Sequence, residues 1–134
     1  MNNSQYTTQN NLLLNTLLKF YNKDDNLSKI LSIINGHAKE SLRLIDWFVT
    51  NYAKKNFIGY DLVDKHGRTK RFKVYIDYKL KLKAYSKKRF DPFCRWDRIV
   101  IPYKNDMHIQ TTIGQLNFFK WALENNILSY ISEH

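Results

Sequence analysis

The hydrophobic pattern divides the chain into a helical first third, an alternating middle and a helical end. LLLNTLLKFY (12–21) sets Leu13, Leu17 and Tyr21 on one face at helical spacing, with Leu14 and Leu18 beside them. KDD breaks this helix, and Asn26 is expected to cap a second, Leu27–Ile34, which Asn35-Gly36 would end. A third and longest helix is predicted from His37 to Lys55. Its stripe is Leu42, Ile45, Phe48, Val49 and Tyr52; Trp47 lies off it and needs a cover from another element. After Asn56 the period changes to two. In RFKVYIDYKLKLKAY (71–85) every even position is apolar, which predicts a half-buried strand. That strand would run about 50 Å at about 3.3 Å per residue, so a bend, a bulge or a helical start near Lys83 is expected. FIGYDLV (57–63) is its natural partner across a DKHGRT connection holding Gly67. RIVIPY (98–103) reads as a third strand ended by Pro102. Thr112-Ile-Gly-Gln115 fits a capping box for the last long helix, with Ile113, Leu116, Phe119 and Leu123 on one side and Phe118 and Trp121 on another. The expected fold class is α+β: about four helices packed on a small three-stranded antiparallel sheet. Residues 1–10 read as a disordered tail and 11–134 as a single domain.

Charge changes this picture, because it is not spread evenly. The net charge is +10. From Lys65 to Arg98 the chain carries 13 Lys/Arg against three Asp, and the remaining 100 residues carry nine against nine. A bias confined to 34 residues predicts a local positive field and an anionic partner. On a strand, Arg71, Lys73, Lys79, Lys81 and Lys83 would share one face, with i, i+2 neighbours about 6.6 Å apart. Tyr75 and Tyr85 would lie among them and stack on bases. Lys87, Lys88 and Arg89 extend the strip, and Arg95 and Arg98 follow. Exposed strands are often lysine-rich because lysine discourages edge pairing, but that accounts for two or three cations, not 13. Non-catalytic nucleic-acid binding is therefore the leading expectation, DNA or RNA. The rival is a subunit of a transcription complex or other assembly whose basic face docks an acidic protein, helped by Phe118 and Trp121.

Chemistry-bearing residues are sparse. Cys94 is the single cysteine, and His37, His66, His108 and His134 are scattered, so no metal or cofactor is expected. Cys94 is expected to pack as a small hydrophobe. Phe90, Phe93 and Trp96 would anchor its loop, while Asp91 and Asp97 pair with Arg89, Arg95 or Arg98. One catalytic pattern is present: Glu40 in a helix, Asp61 in a strand and Asp77-Tyr-Lys79 in the next have the order of a metal-dependent nuclease. Asp-x-Lys is common in a lysine-rich chain, and a cross-strand ion pair of Asp77 with a lysine explains it as well. No apolar run approaches the roughly 20 residues of a membrane span, and a lone cysteine with a polar N-terminus suggests a soluble intracellular protein.

Three strings carry a resemblance: NGHAKESLRLIDWFVTNYAKK, YKLKLKAYSKKRFDPFCRWDRI and TTIGQLNFFKWALENNILSYI. They resemble a family of small basic proteins of nucleocytoplasmic large DNA viruses, the giant viruses. The resemblance implies a source and a setting, host cytoplasm (the viral factory) or the virion, and no mechanism. After Cys94-Arg95, where the family is commonly basic, this chain has Trp96. Asn, Lys, Ile and Tyr supply 51 of the 134 residues, the bias of an AT-rich genome, which suits that source.

Overall fold

The computed structural model describes residues 3–96, 98–103 and 106–134, with side chains from residue 11 onward. Met1 and Asn2, at the start of the expected tail, lie outside the described residues. The elements run α1 (Asn3–Tyr21), α2 (Asn26–Ile34), α3 (Leu42–Trp47), a π-helical stretch (Phe48–Tyr52), α4 (Ala53–Lys55), β1 (Gly59–Val63), β2 (Thr69–Lys73), α5 (Val74–Tyr85), α6 (Lys87–Phe90), β3 (Arg98–Tyr103), β4 (Met107–Thr112), α7 (Ile113–Glu124) and α8 (Ile127–Glu133). Because α3, the π stretch and α4 are continuous over 42–55, seven helices stand among the described residues.

The class is α+β, but the three-stranded sheet is replaced by two antiparallel pairs, β1 with β2 and β3 with β4. The first hairpin follows the alternation, with Gly59 opposite Lys73 and Val63 opposite Thr69. Gly67, at φ +79°, makes its turn, and Asp64 Oδ1 accepts from the backbone of His66 and Arg68. RIVIPY is a strand, yet its partner is β4, a segment the hydrophobic pattern did not single out. Ile109 and Thr111 alternate inward there and are buried.

The largest departure is 74–85, a helix where alternation predicts a strand. Positions four apart are also even positions, so one pattern satisfies both periods. Val74 and Tyr78 are buried, Leu82 and Tyr85 are half-buried on the same side, and Ile76 and Leu80 face outward. The sheet ends at Lys73, where Val74 N–H still donates to Ile58 O at 3.2 Å. Two smaller corrections concern caps. The third helix begins at Leu42, with Ser41 Oγ accepting from Leu44 N at 3.1 Å, and 37–41 is a turn. Asp25, not Asn26, takes the N-cap position of α2, and Asn26 Nδ2 donates to Phe20 O at 2.9 Å.

The core is built around α7. Ile113, Leu116, Phe118, Phe119, Trp121 and Ala122 are all buried, so the helix is apolar nearly all round and every side is covered. This removes Phe118 and Trp121 as a docking face. Thr112 Oγ1 accepts from Gln115 N at 3.0 Å, the cap the sequence predicts. Tyr21 O–H donates to Leu116 O from α1. Gly114 lets α6 approach closely: a Cβ there would lie 2.8 Å from Asp91 O and 3.0 Å from Lys88 O. Asn117, buried, donates Nδ2 to Arg89 O at 2.9 Å. Phe90 is fully buried against Tyr78, Tyr85, Phe118 and Trp121.

Candidate nucleic-acid interface

The expected single basic face does not form, because its residues occupy two strands, two helices and a loop. Arg71 and Lys73 are exposed on β2. On α5, Lys79 and Lys83 join Ile76 and Leu80 on the outer face, at i, i+3, i+4, i+7 spacing. Lys81 lies on another flank, in a cleft of about 340 Å³ with Asp77, Lys120 and Glu124. Tyr85 lines the same cleft and stacks on Phe90, ring centroids 6.1 Å apart, so its ring serves packing. Lys87, Lys88 and Arg89 form α6, with Lys88 Nζ 4.1 Å from the Trp96 ring centroid. Arg95 and Arg98 border a separate hollow of about 420 Å³ beside Phe93, Cys94 and Thr112.

The aromatic loop differs in part from expectation. Phe90 and Pro92 are buried, whereas Phe93 and Trp96 are half exposed. Cys94 is half-buried beside Arg95 rather than in the core. The Asp91 carboxylate accepts from Phe93 N at 2.8 Å, an Asx turn. Asp97 lies outside the described residues.

What the structure does assemble is a pair of hollows around the end of helix 42–55. An α-helix would turn Tyr52 to the core, but Ala53 N–H bonds to Phe48 O, five residues back, and the extra residue shifts the phase by one position. Ala53 takes the inward place, at 1% exposure, and Tyr52 is left 40% exposed. Trp47, at 48%, has no cover from another element and meets Tyr52 at 5.5 Å between ring centroids. The helix ends at Asn56. Phe57 follows with φ +52° and 91% exposure, and Ile58 N–H closes the turn on Ala53 O at 3.0 Å.

The first hollow, about 310 Å³, lies between this turn, β2 and the start of α5. Lys54, Arg71 and Lys73 line it with Phe57, Tyr75 and Ile76. Lys54 Nζ is 5.3 Å from the Tyr75 ring centroid, a cation–π distance. Arg71 also meets Asp61 across the hairpin at 3.5 Å, an exposed pair of little energetic weight. The second hollow, about 530 Å³, holds Trp47, Tyr52 and Lys55 and shares Lys54 and Phe57 with the first. Neither wall contains a carboxylate. Three of the twelve expected contact residues, Arg71, Lys73 and Tyr75, thus meet here. Lys54, Lys55, Trp47, Tyr52 and Phe57 were missed. Their signal was an aromatic every five residues, 47, 52 and 57, beside AKKNF. Neither an α-helix nor a strand aligns that spacing, but a π turn does so for the first two.

The nuclease constellation is not assembled. Glu40 sits in the turn before α3, Asp61 pairs with Arg71, and Asp77 is on a helix with Lys79 about 200° around the axis. The Asp77 carboxylate accepts from Trp121 Nε1 at 2.6 Å, where an ion pair with lysine was expected. Among the described residues, no three His, Cys, Asp or Glu side chains gather as a metal would require, and no helix is long and apolar enough to cross a membrane.

Behind α5 lies a small acidic field. Burial first, then Asp46, Asp91 and Tyr75, push the Tyr78 hydroxyl up to about 12. Burial, and then the charge of Asp91, raises the Asp46 carboxyl above the ordinary carboxylate range. Folded Asp46 therefore holds its proton more tightly than the unfolded chain does. The stability linked to it is present below the unfolded value and is lost as pH rises through the folded one. Asp46→Asn should raise the melting temperature at pH 7, and the gain should vanish toward pH 3. Melting curves across that range test this; equal stability at pH 7 would contradict it.

The model of a family described as "Family of unknown function (DUF7197)" matches residues 1–134. The chain is 41% identical over 139 residues to "Uncharacterized protein L507" of Acanthamoeba polyphaga mimivirus, covering 99% of this chain and 53% of that protein. It spans about half the length of the curated relative it matches. No solved structure matches.

Proposed function

Since the chain belongs to this family of unknown function, DUF7197, with a giant-virus relative, we propose that it binds nucleic acid without cleaving it, in viral genome handling or gene expression. One observation carries the reading. Lys54, Arg71 and Lys73 surround the exposed Phe57 ring and the half-buried Tyr75 ring in a hollow whose walls hold no carboxylate. Cations beside free ring faces are what a phosphate backbone with accessible bases requires. The remaining basic residues, on the outer face of α5 and on α6, supply longer-range attraction to the same polyanion. Host cytoplasm, in the viral factory, or the virion is the setting this function implies.

Fluorescence anisotropy with labelled single- and double-stranded DNA and RNA of mixed sequence tests the proposal. Binding at about 50 mM salt should weaken steeply by about 200 mM, with a log–log slope of about 0.7–0.9 per phosphate contacted. No binding at the lower salt would overturn it. Cleavage of the probe with Mg²⁺ or Mn²⁺ present would overturn its non-catalytic part.

A further inference from the structure

We infer that the hollow beside Phe57 receives an unpaired base, so that the protein prefers single strands to duplex; this rests on the nucleic-acid reading above. The position of Phe57 is costly to folding in two ways. Its backbone is in the left-handed region at φ +52°, which disfavours a residue with a bulky side chain. Its ring is 91% exposed and gains nothing from the core. The turn itself is held by other groups, the Ile58 N–H to Ala53 O bond and the Val74 N–H to Ile58 O bond. Glycine or asparagine would meet the backbone geometry more cheaply, so the phenyl ring is the feature left to explain.

The surroundings say what the ring meets. The hollow of about 310 Å³ stands at the small end of ligand pockets, roughly 300–1,000 Å³. Its apolar walls are Phe57, Tyr75 and Ile76, and its charges are all positive. A flat, apolar-faced group attached to an anion is complementary to that lining, and a nucleotide in a single strand is such a group. Bases inside a duplex are stacked and paired, and reaching one requires breaking both contacts. In a single strand the faces are free, and stacking on an aromatic strengthens binding by about tenfold or more per base. Phe57 and Lys54 also wall the second hollow, where Trp47 and Tyr52 offer the next surface. Cations around an exposed Phe would also suit an anionic lipid surface. Here, though, the apolar groups line a concavity, which a planar ring fills and a bilayer face does not.

The test uses the full chain with an oligothymidylate, a duplex of equal length and mixed sequence, and phosphatidylserine vesicles. Phe57→Ala should weaken oligothymidylate binding about tenfold or more, leave duplex binding unchanged and keep the melting temperature. Phe57→Trp should retain single-strand binding. Equal loss on both nucleic acids, or no loss on either, would overturn the base site while leaving nucleic-acid binding in place. A loss confined to vesicles would also overturn it, as a lipid contact. Wild-type protein that binds neither nucleic acid would instead sink the reading underneath.

Discussion

Phe90→Ala is expected to cost about 3–5 kcal/mol, a large share of the roughly 5–15 kcal/mol that holds a domain folded. Phe90 has no exposed surface and meets four aromatic rings, those of Tyr78, Tyr85, Phe118 and Trp121. Truncation removes the ring from the junction of α5, α6 and α7, and backbone contacts keep the gap from closing. Gly114 already brings α7 against the Lys88 and Asp91 carbonyls, and Asn117 is bonded to Arg89 O. Urea unfolding should show a lower midpoint with an unchanged slope. A loss under about 1 kcal/mol would mean that α6 is not seated as described. The result also bears on the surface, because Phe90 is the one buried side chain of α6, the helix that displays Lys87 and Lys88.

The second large effect is expected at the hollow. Replacing Lys54, Arg71 and Lys73 together by alanine removes three phosphate partners. At about 0.7 counterions released per contact on a single strand, the log–log salt slope should fall by about 2. Affinity should then drop about a hundredfold at 0.1 M salt, with the difference closing toward 1 M. All three side chains are exposed, so stability should move by less than about 0.5 kcal/mol per substitution. An unchanged slope would place the contacts elsewhere on the basic segment. Alanine at Lys79 and Lys83 is the comparison that would then locate them on α5.

How much of this was legible depended on whether the local pattern had one solution. The first hairpin was readable because Gly67 and the alternation around it agree on a turn between two strands. The start of α7 was readable because Thr112 and Gln115 stand at capping distance in sequence and bond in space. The segment 74–85 was not readable, since its apolar positions satisfy a period of two and the i, i+4 rule together. Tertiary burial favours the helix: Val74 and Tyr78 are buried, and the Tyr78 ring meets Phe90 and Trp121, contacts that the local pattern does not contain. Strand β4 was missed because its inward face, Ile109 and Thr111, includes a polar member that is nonetheless buried. The candidate site was half legible. Charge pointed to Arg71 and Lys73, but Lys54 read as the end of a helix and Phe57 as the start of a strand, whereas Phe57 lies in a left-handed turn before β1.

The π stretch at 48–52 makes the site depend on a length rather than on a residue type. An inserted residue that leaves both flanking helices intact turns everything beyond it by about 100°. Were the same residues wound as an unbroken α-helix, Tyr52 would turn inward in place of Ala53, and Lys54, Lys55 and Phe57 would swing away from β2. No residue that lines the first hollow need be altered for the hollow to be lost. Among related chains, a one-residue gap within 48–51 is therefore compatible with the same first hollow, since it removes the extra residue and lets a plain α-helix hold Ala53 inward.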